Sequence, residues 1–252
     1  MVIKIVISET FDAPVWRMQI DEQKDVLIAE IRDVVNKQVS FSSISLNPAV
    51  VNFKDLGFHD RWLTGLEAAK DGVILLHGFQ SDILPLHKGL FGIDSHSGEM
   101  LWADYNLTFE RVADDGIIAS DSRIQPKKLF KIDHKTGQRV EDVTHVEYFN
   151  SQIRVPELIP ADKLPAHLKP LTPEGNMAHY LRHNDFEIVS LHALNRDKLH
   201  QFLFIWDRGH NLVFEDIIND DIQKLQPEAF INYKNQLIWL KNRNNLKVIN
   251  LY

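Results

Sequence analysis

Cysteine is absent from the 252 residues, which excludes disulfide frameworks, thiolate zinc sites, iron–sulfur clusters and cysteine nucleophiles. Long apolar runs are missing too. The stretch from Val2 to Ile7 is broken by Lys4 and followed by Glu9 and Asp12, so it has neither the apolar core nor the cleavage site of a signal peptide. No window approaches the ~20 apolar residues that span a bilayer. The expectation is a cytoplasmic protein with no membrane partner. Positive charge is not in excess: 28 Lys and Arg face 35 Asp and Glu, for a net charge of −7. Nucleic acid is therefore not an expected partner. What remains is ordinary: 44% apolar and 25% charged residues exclude disordered, collagenous and coiled-coil chains.

Helical periodicity is scarce. The strong segments are short, rich in Val, Ile and Phe, and punctuated by Asp, Asn and Gly, which predicts strands and hairpins. The clearest unit runs Leu90-Phe91-Gly92-Ile93-Asp94, Ser95-His96-Ser97-Gly98, then Glu99-Met100-Leu101-Trp102. It recurs as Leu129-Phe130-Lys131-Ile132-Asp133, His134-Lys135-Thr136-Gly137, then Gln138-Arg139-Val140-Glu141. The aspartate can accept from backbone N–H groups two or three residues on, and the glycine supplies a left-handed residue before the next strand. A third copy surrounds Asp207, with weaker ones at Phe41 to Asn47 and Leu246 to Asn250.

Each copy is preceded by another hairpin, such as Glu67-Ala68-Ala69 turning at Lys70-Asp71-Gly72 into Val73 to Leu76. Four antiparallel strands per unit is a propeller blade. The units fall at about 15–58, 62–107, 108–149, 177–218 and 222–252. The last has three strands, and the N-terminal strand is left to supply its fourth, removing an exposed edge. The reading is an all-β, five-bladed β-propeller over residues 1–252 as a single domain. Its alternative, six blades, would need a blade in residues 150–176. Five prolines there (156, 160, 165, 170 and 173) predict an inserted Pro-rich loop instead.

These repeats resemble those of quinoprotein-like β-propellers, whose units carry an apolar strand, Asp, Thr/Ser-Gly and a strand ending in Trp. Asp94…Gly98…Trp102 matches fully, Asp133…Gly137 lacks the Trp, and Gly209 after Asp207 is out of register. The resemblance implies the fold. It brings no cofactor, because the family's cofactor and calcium ligands have no counterpart here. The length and the Trp16…Ile31-Arg32-Asp33 opening also resemble an uncharacterised bacterial family of about 250 residues, which implies no activity.

Several candidate sites compete with structural readings. His77-Gly78 after an apolar strand resembles the oxyanion loop of an α/β-hydrolase, but no Gly-x-Ser-x-Gly elbow is present. His179 and His183 would share a helix face as zinc ligands, yet on a strand they sit about 13 Å apart, so surface or strand-end roles are expected. Arginine recurs at the end of the second strand of the units, at Arg32, Arg123 and Arg243, with Arg196 close to the equivalent place and Phe79 standing there in the second unit. A ring of guanidinium groups beneath the Pro-rich loop could bind carboxylates or phosphates. The expected function is thus a non-enzymatic binding or scaffolding module, for a small anion or a protein segment. The alternative is a glycoside hydrolase using Glu67, Glu110 and Glu228 around a central channel. The tryptophans 16, 62, 102, 206 and 239 could stack on sugars or fill the layers between blades.

Overall fold

A computed structural model describes residues 3–81, 83, 86–142, 151–168 and 171–252. The chain is all-β, with five antiparallel sheets, the strand arrangement of a five-bladed β-propeller. It divides into two compact units: Asp12–Ser151, and Met1–Phe11 with Gln152–Tyr252.

The first unit holds three four-stranded sheets, each laid down in chain order. The first has β2 (Val15–Asp21), β3 (Val26–Asp33), β4 (Gln38–Leu46) and β5 (Ala49–Gly57). The second has β6 (Thr64–Lys70), β7 (Val73–Phe79), β8 (His87–Asp94) and β9 (Met100–Asp104). The third has β10 (Leu107–Ala113), β11 (Gly116–Asp121), β12 (Leu129–Ile132) and β13 (Arg139–Asp142). The inner strand β7 is apolar on both faces because its sheet is covered by the first on one side and the third on the other. On β7, Ile74 and Leu76 pack with Val26, Ile28 and Phe41 of the first sheet. The alternate residues Val73 and Leu75 pack with Ile117, Ala119 and Ile132 of the third.

The repeated Asp turns join these sheets. Asp94 Oδ1 accepts from the N–H groups of His96 and Ser97, and Asp133 Oδ1 from those of Lys135 and Thr136. Gly98 and Gly137 follow with φ of +75° and +69°, a region that favours glycine. Each turn then receives side chains of the preceding sheet. Phe53 and Leu56 lie against Gly98, and the Trp102 indole lies against both Gly137 and Gly92. Trp102 Nε1 also donates to the His134 carbonyl at 2.8 Å. At the same sheet ends, Asp71 holds Lys24 at 3.0 Å and Lys135 at 2.8 Å, linking turns of all three sheets. These lysines hold the Asp71 carboxyl well below the usual range.

The second unit holds two five-stranded sheets. One runs β15 (Glu157–Pro160), β16 (Met177–His183), β17 (Phe186–Asn195), β18 (Lys198–Trp206), β19 (Leu212–Ile222). In the other, β1 (Ile5–Thr10) pairs with the C-terminal β22 (Asn245–Asn250), followed by β21 (Gln236–Lys241), β20 (Ile231–Tyr233) and the short β14 (Ile153–Arg154). The N-terminal strand thus completes the last sheet, as its isolation in the sequence predicts.

The Pro-rich stretch differs from the expected loop. Residues 150, 169 and 170 of it lie outside the described residues, but the rest supplies β14 and β15 as fifth strands. It also forms three 3-10 turns, at Ala161–Lys163, Ala166–Leu168 and Glu174–Asn176. Its leucines explain the difference: Leu164 and Leu168 are buried against Val189, Leu191 and Phe204. Proline is tolerated because β15 is an edge strand.

His179 and His183 do not share a helix face: both are buried on β16, and His183 ends that strand. His179 Nε2 lies 3.0 Å from the Pro227 carbonyl, and His183 Nε2 lies 3.2 Å from Asn235 Oδ1. Nearby, His192 Nε2 accepts the Gln226 N–H at 3.0 Å, which fixes the ring neutral. Burial first, and His179 second, lower its pKa from 6.5 to about 4. An unfolded chain takes up this proton near 6.5, whereas the folded one resists it until about 4. Stability is therefore complete above 6.5 and falls as pH drops through that window, by up to about 3 kcal/mol. Urea midpoints measured across the window should fall more steeply in the wild type than in His192→Gln, and parallel curves would contradict the assignment.

Candidate functional site

Three first strands carry the same irregularity. Val15 pairs with Ile31 and Arg17 with Glu30, leaving Trp16 as an extra residue. Leu66 and Ala68 pair with Leu76 and Leu75, leaving Glu67, and Phe109 and Arg111 pair with Ala119 and Ile118, leaving Glu110. A one-residue bulge interrupts the ladder and re-aims its side chain. In the first sheet the re-aimed residue is Trp16, 61% exposed.

Trp16 stands at a cavity of about 370 Å³ within the first unit. Trp62 and Phe79 add aromatic walls, Arg17, Glu30 and Arg32 add charge, and His77 and His87 close one side. Arg17 makes no hydrogen bond or ion pair among the described residues. A second cavity of about 420 Å³, beside β3 to β5, is lined by Asp33, Asp55 and Arg61. Its Asp33 carboxylate is already bound to Asn36 and the Val35 N–H, so the aromatic cavity is the better candidate.

Arg32 is buried rather than presented. Its Nε donates to Glu30 Oε1 at 2.5 Å, and its terminal nitrogens donate to the carbonyls of Trp62 at 3.1 Å and Thr64 at 2.6 Å. Glu30 Oε2 accepts the Leu66 N–H at 2.7 Å. The pair ties β3 to the start of β6, with the guanidinium 5.0 Å from the Trp62 ring centre and 6.0 Å from that of Phe79.

The other arginines do sit at second-strand ends, but in different settings. Arg123 is exposed and clamped by Asp121 through contacts of 2.9 and 2.6 Å, which bring the Asp121 carboxyl down to about 2. Arg196 and Arg243 are exposed turn residues with φ of 51° and 64°, in the second unit. Among the four, Arg32 alone lines the aromatic cavity. Arg17 escaped sequence reasoning because a bulge has no sequence signature.

Behind the cavity, Glu67 Oε2 lies 2.7 Å from His77 Nδ1 and 3.1 Å from His87 Nδ1. The two imidazoles stack with centroids 3.7 Å apart and planes within 7°. Burial opposes the Glu67 charge, yet His77, His87 and Arg17 together hold its carboxyl below the ordinary range. Burial and then His77 hold His87 below the usual imidazole value. The sequence offered Glu67, Glu110 and Glu228 as hydrolytic carboxylates, but each has different surroundings. Glu110 meets Ser120 Oγ at 2.8 Å and Lys127 Nζ at 2.5 Å, and Glu228 is an exposed residue of the second unit. None of the three lines the aromatic cavity.

The protein family described as "Domain of unknown function (DUF4905)" matches residues 20–102, from the end of β2 to β9. No curated protein matches the chain. Among solved structures, Chaetomium thermophilum Raptor is similar with a TM-score of 0.41 and 10% identity, over 100% of this chain and 29% of that one. TolB from Acinetobacter baumannii is similar with a TM-score of 0.31 and 9% identity, over 94% of this chain and 55% of that one. BBS1N in complex with ARL6DN gives 0.27 and 9%, over 99% of this chain and 66% of that one. The chain thus spans less than two thirds of the length of these proteins.

Proposed function

We propose that this chain is a non-enzymatic binding domain whose ligand is a small anion with a flat ring, held in the cavity beside Trp16. The ring lies against the Trp16 and Trp62 indoles, and the anionic group pairs with Arg17. One observation carries this reading: an indole 61% exposed stands beside a guanidinium with no hydrogen bond or ion pair among the described residues. Exposed aromatic side chains lose little entropy on binding and offer a large contact area. Arginine recognises carboxylate or phosphate through two parallel N–H bonds. The four arginines named from the repeats are not needed for this: Arg32 is tied to Glu30, and Arg123 to Asp121.

A thermal-shift screen of aromatic carboxylates, sugar phosphates and neutral sugars tests the reading. Flat carboxylates or phosphates should raise the midpoint of the wild type, and the rise should vanish in Trp16→Ala and Arg17→Ala. Both residues are solvent-accessible, so the variants keep the fold. Retention of the response in both variants would place the ligand elsewhere, and a response confined to neutral sugars would remove the anion.

A further inference from the structure

We infer that Glu67, His77 and His87 form a binding site for a divalent transition metal of the zinc type, at the back of the aromatic cavity. This goes beyond the ligand reading and does not depend on it, because the metal can be titrated alone.

The donor set is two imidazoles and one carboxylate, a combination suited to zinc and other first-row divalent ions. One ligand atom from each residue lies within 4.8 Å of the other two. The set is also built rather than superficial. His77 is 3% exposed, and the Glu67 side chain is 10% exposed. Although Glu67 Oε2 lies close to both His77 Nδ1 and His87 Nδ1, neither it nor His77 Nδ1 makes an aligned hydrogen bond. His77 Nε2 is likewise without a partner. Buried polar atoms left in this state are rare and call for an explanation; a cation shared by His77 Nδ1 and Glu67 Oε2 supplies one for those two atoms. Gly65 makes room for the arrangement, since a Cβ there would stand 2.7 Å from His77 Nε2.

With metal–ligand bonds of about 2.0–2.2 Å, the 2.7 Å Glu67–His77 separation corresponds to an angle of roughly 80° at the metal. The three donors then occupy one side of the ion, and the opposite side faces the cavity that His77 and His87 line. Two imidazoles bind one ion through in-plane lone pairs, so the parallel stack must open. His87 is the ring that turns: its side chain is 32% exposed, whereas that of His77 is 3% exposed. The open positions would accept water or the anionic group of a cavity ligand.

The other three-residue set, His167, Glu187 and His210, lacks these properties. Both of its histidines are exposed, and its carboxylate already accepts from Tyr180 at 3.0 Å.

Titration of the full chain with Co²⁺, followed by its visible absorption and by competition with Zn²⁺, tests the site. One equivalent should bind, and His87→Ala and Glu67→Gln should each weaken binding more than about tenfold, while His210→Ala leaves it unchanged. His87→Ala alters a partly exposed ring, so it serves even where Glu67→Gln fails to fold. Absence of saturable binding, or binding that survives His87→Ala and is lost in His210→Ala, would overturn the assignment. Because neither metal requires the cavity ligand, a negative ligand screen leaves this result readable, and a negative titration leaves the ligand screen readable.

Discussion

Trp102→Ala is expected to destabilise the first unit by about 3 kcal/mol, the lower end for an aromatic truncation because the indole is only partly buried. The loss comes from two sheets at once. The indole lies on Gly92 of its own sheet and on Gly137 in the Asp133 turn of the next, and its Nε1 donates to the His134 carbonyl. A Cβ at Gly137 would stand 2.6 Å from the ring, so no other residue permits the same approach at that φ. Trp102→Phe should keep most of the contact and lose the hydrogen bond, costing about 1 kcal/mol more than the packing change alone. Chemical denaturation measures both. A loss below about 1 kcal/mol for Trp102→Ala would mean that the sheets are held by other contacts.

Arg32→Ala is expected to cost about 3–5 kcal/mol, because it leaves the Glu30 carboxylate buried with only the Leu66 N–H as partner among the described residues. Glu30→Ala strands the guanidinium in the same way. The signature lies in the double variant: Glu30→Leu with Arg32→Met removes both charges, so it should cost less than either single change. If the costs of the single variants simply add, the pair is not the link between β3 and β6 described above. This test also separates a structural arginine from a ligand-binding one, since a guanidinium held for an anion would not have its charge matched by a buried carboxylate.

Much of the architecture was legible because its chemistry is local. An aspartate that accepts from residues two and three on, followed by a left-handed glycine, needs no tertiary partner, and the copies at Asp94 and Asp133 are built that way. The copy at Asp207 shows why Gly209 is out of register. Asp207 accepts from Gly209 and Asn211, and the left-handed residue is His210, with φ of 61°. The Trp that ends one repeat likewise acts by packing: the Trp102 indole covers Gly137 of the next unit.

The site was less legible because single-residue bulges decide it. Strand alternation alone would place Trp16 on the opposite face from Val15 and Arg17, and nothing in the sequence marks the extra residue. Alternation does carry one neglected signal. Glu30 and Arg32 are two apart on a strand and so share a face, which points to a pair rather than to a free cation. The Glu67–His77–His87 cluster draws on three strands, and only the register of β6, β7 and β8 brings it together.

On this proposal ligand binds beside Trp16 and Arg17 and not on a ring of strand-end arginines. Isothermal titration of the strongest aromatic carboxylate from the screen, into the wild type, Arg17→Ala and Arg123→Ala, tests it most directly. Affinity is expected to fall at least about tenfold in Arg17→Ala, as loss of a charged hydrogen-bond partner does, and to stay unchanged in Arg123→Ala. Undiminished binding by Arg17→Ala, together with a loss in Arg123→Ala, would contradict it.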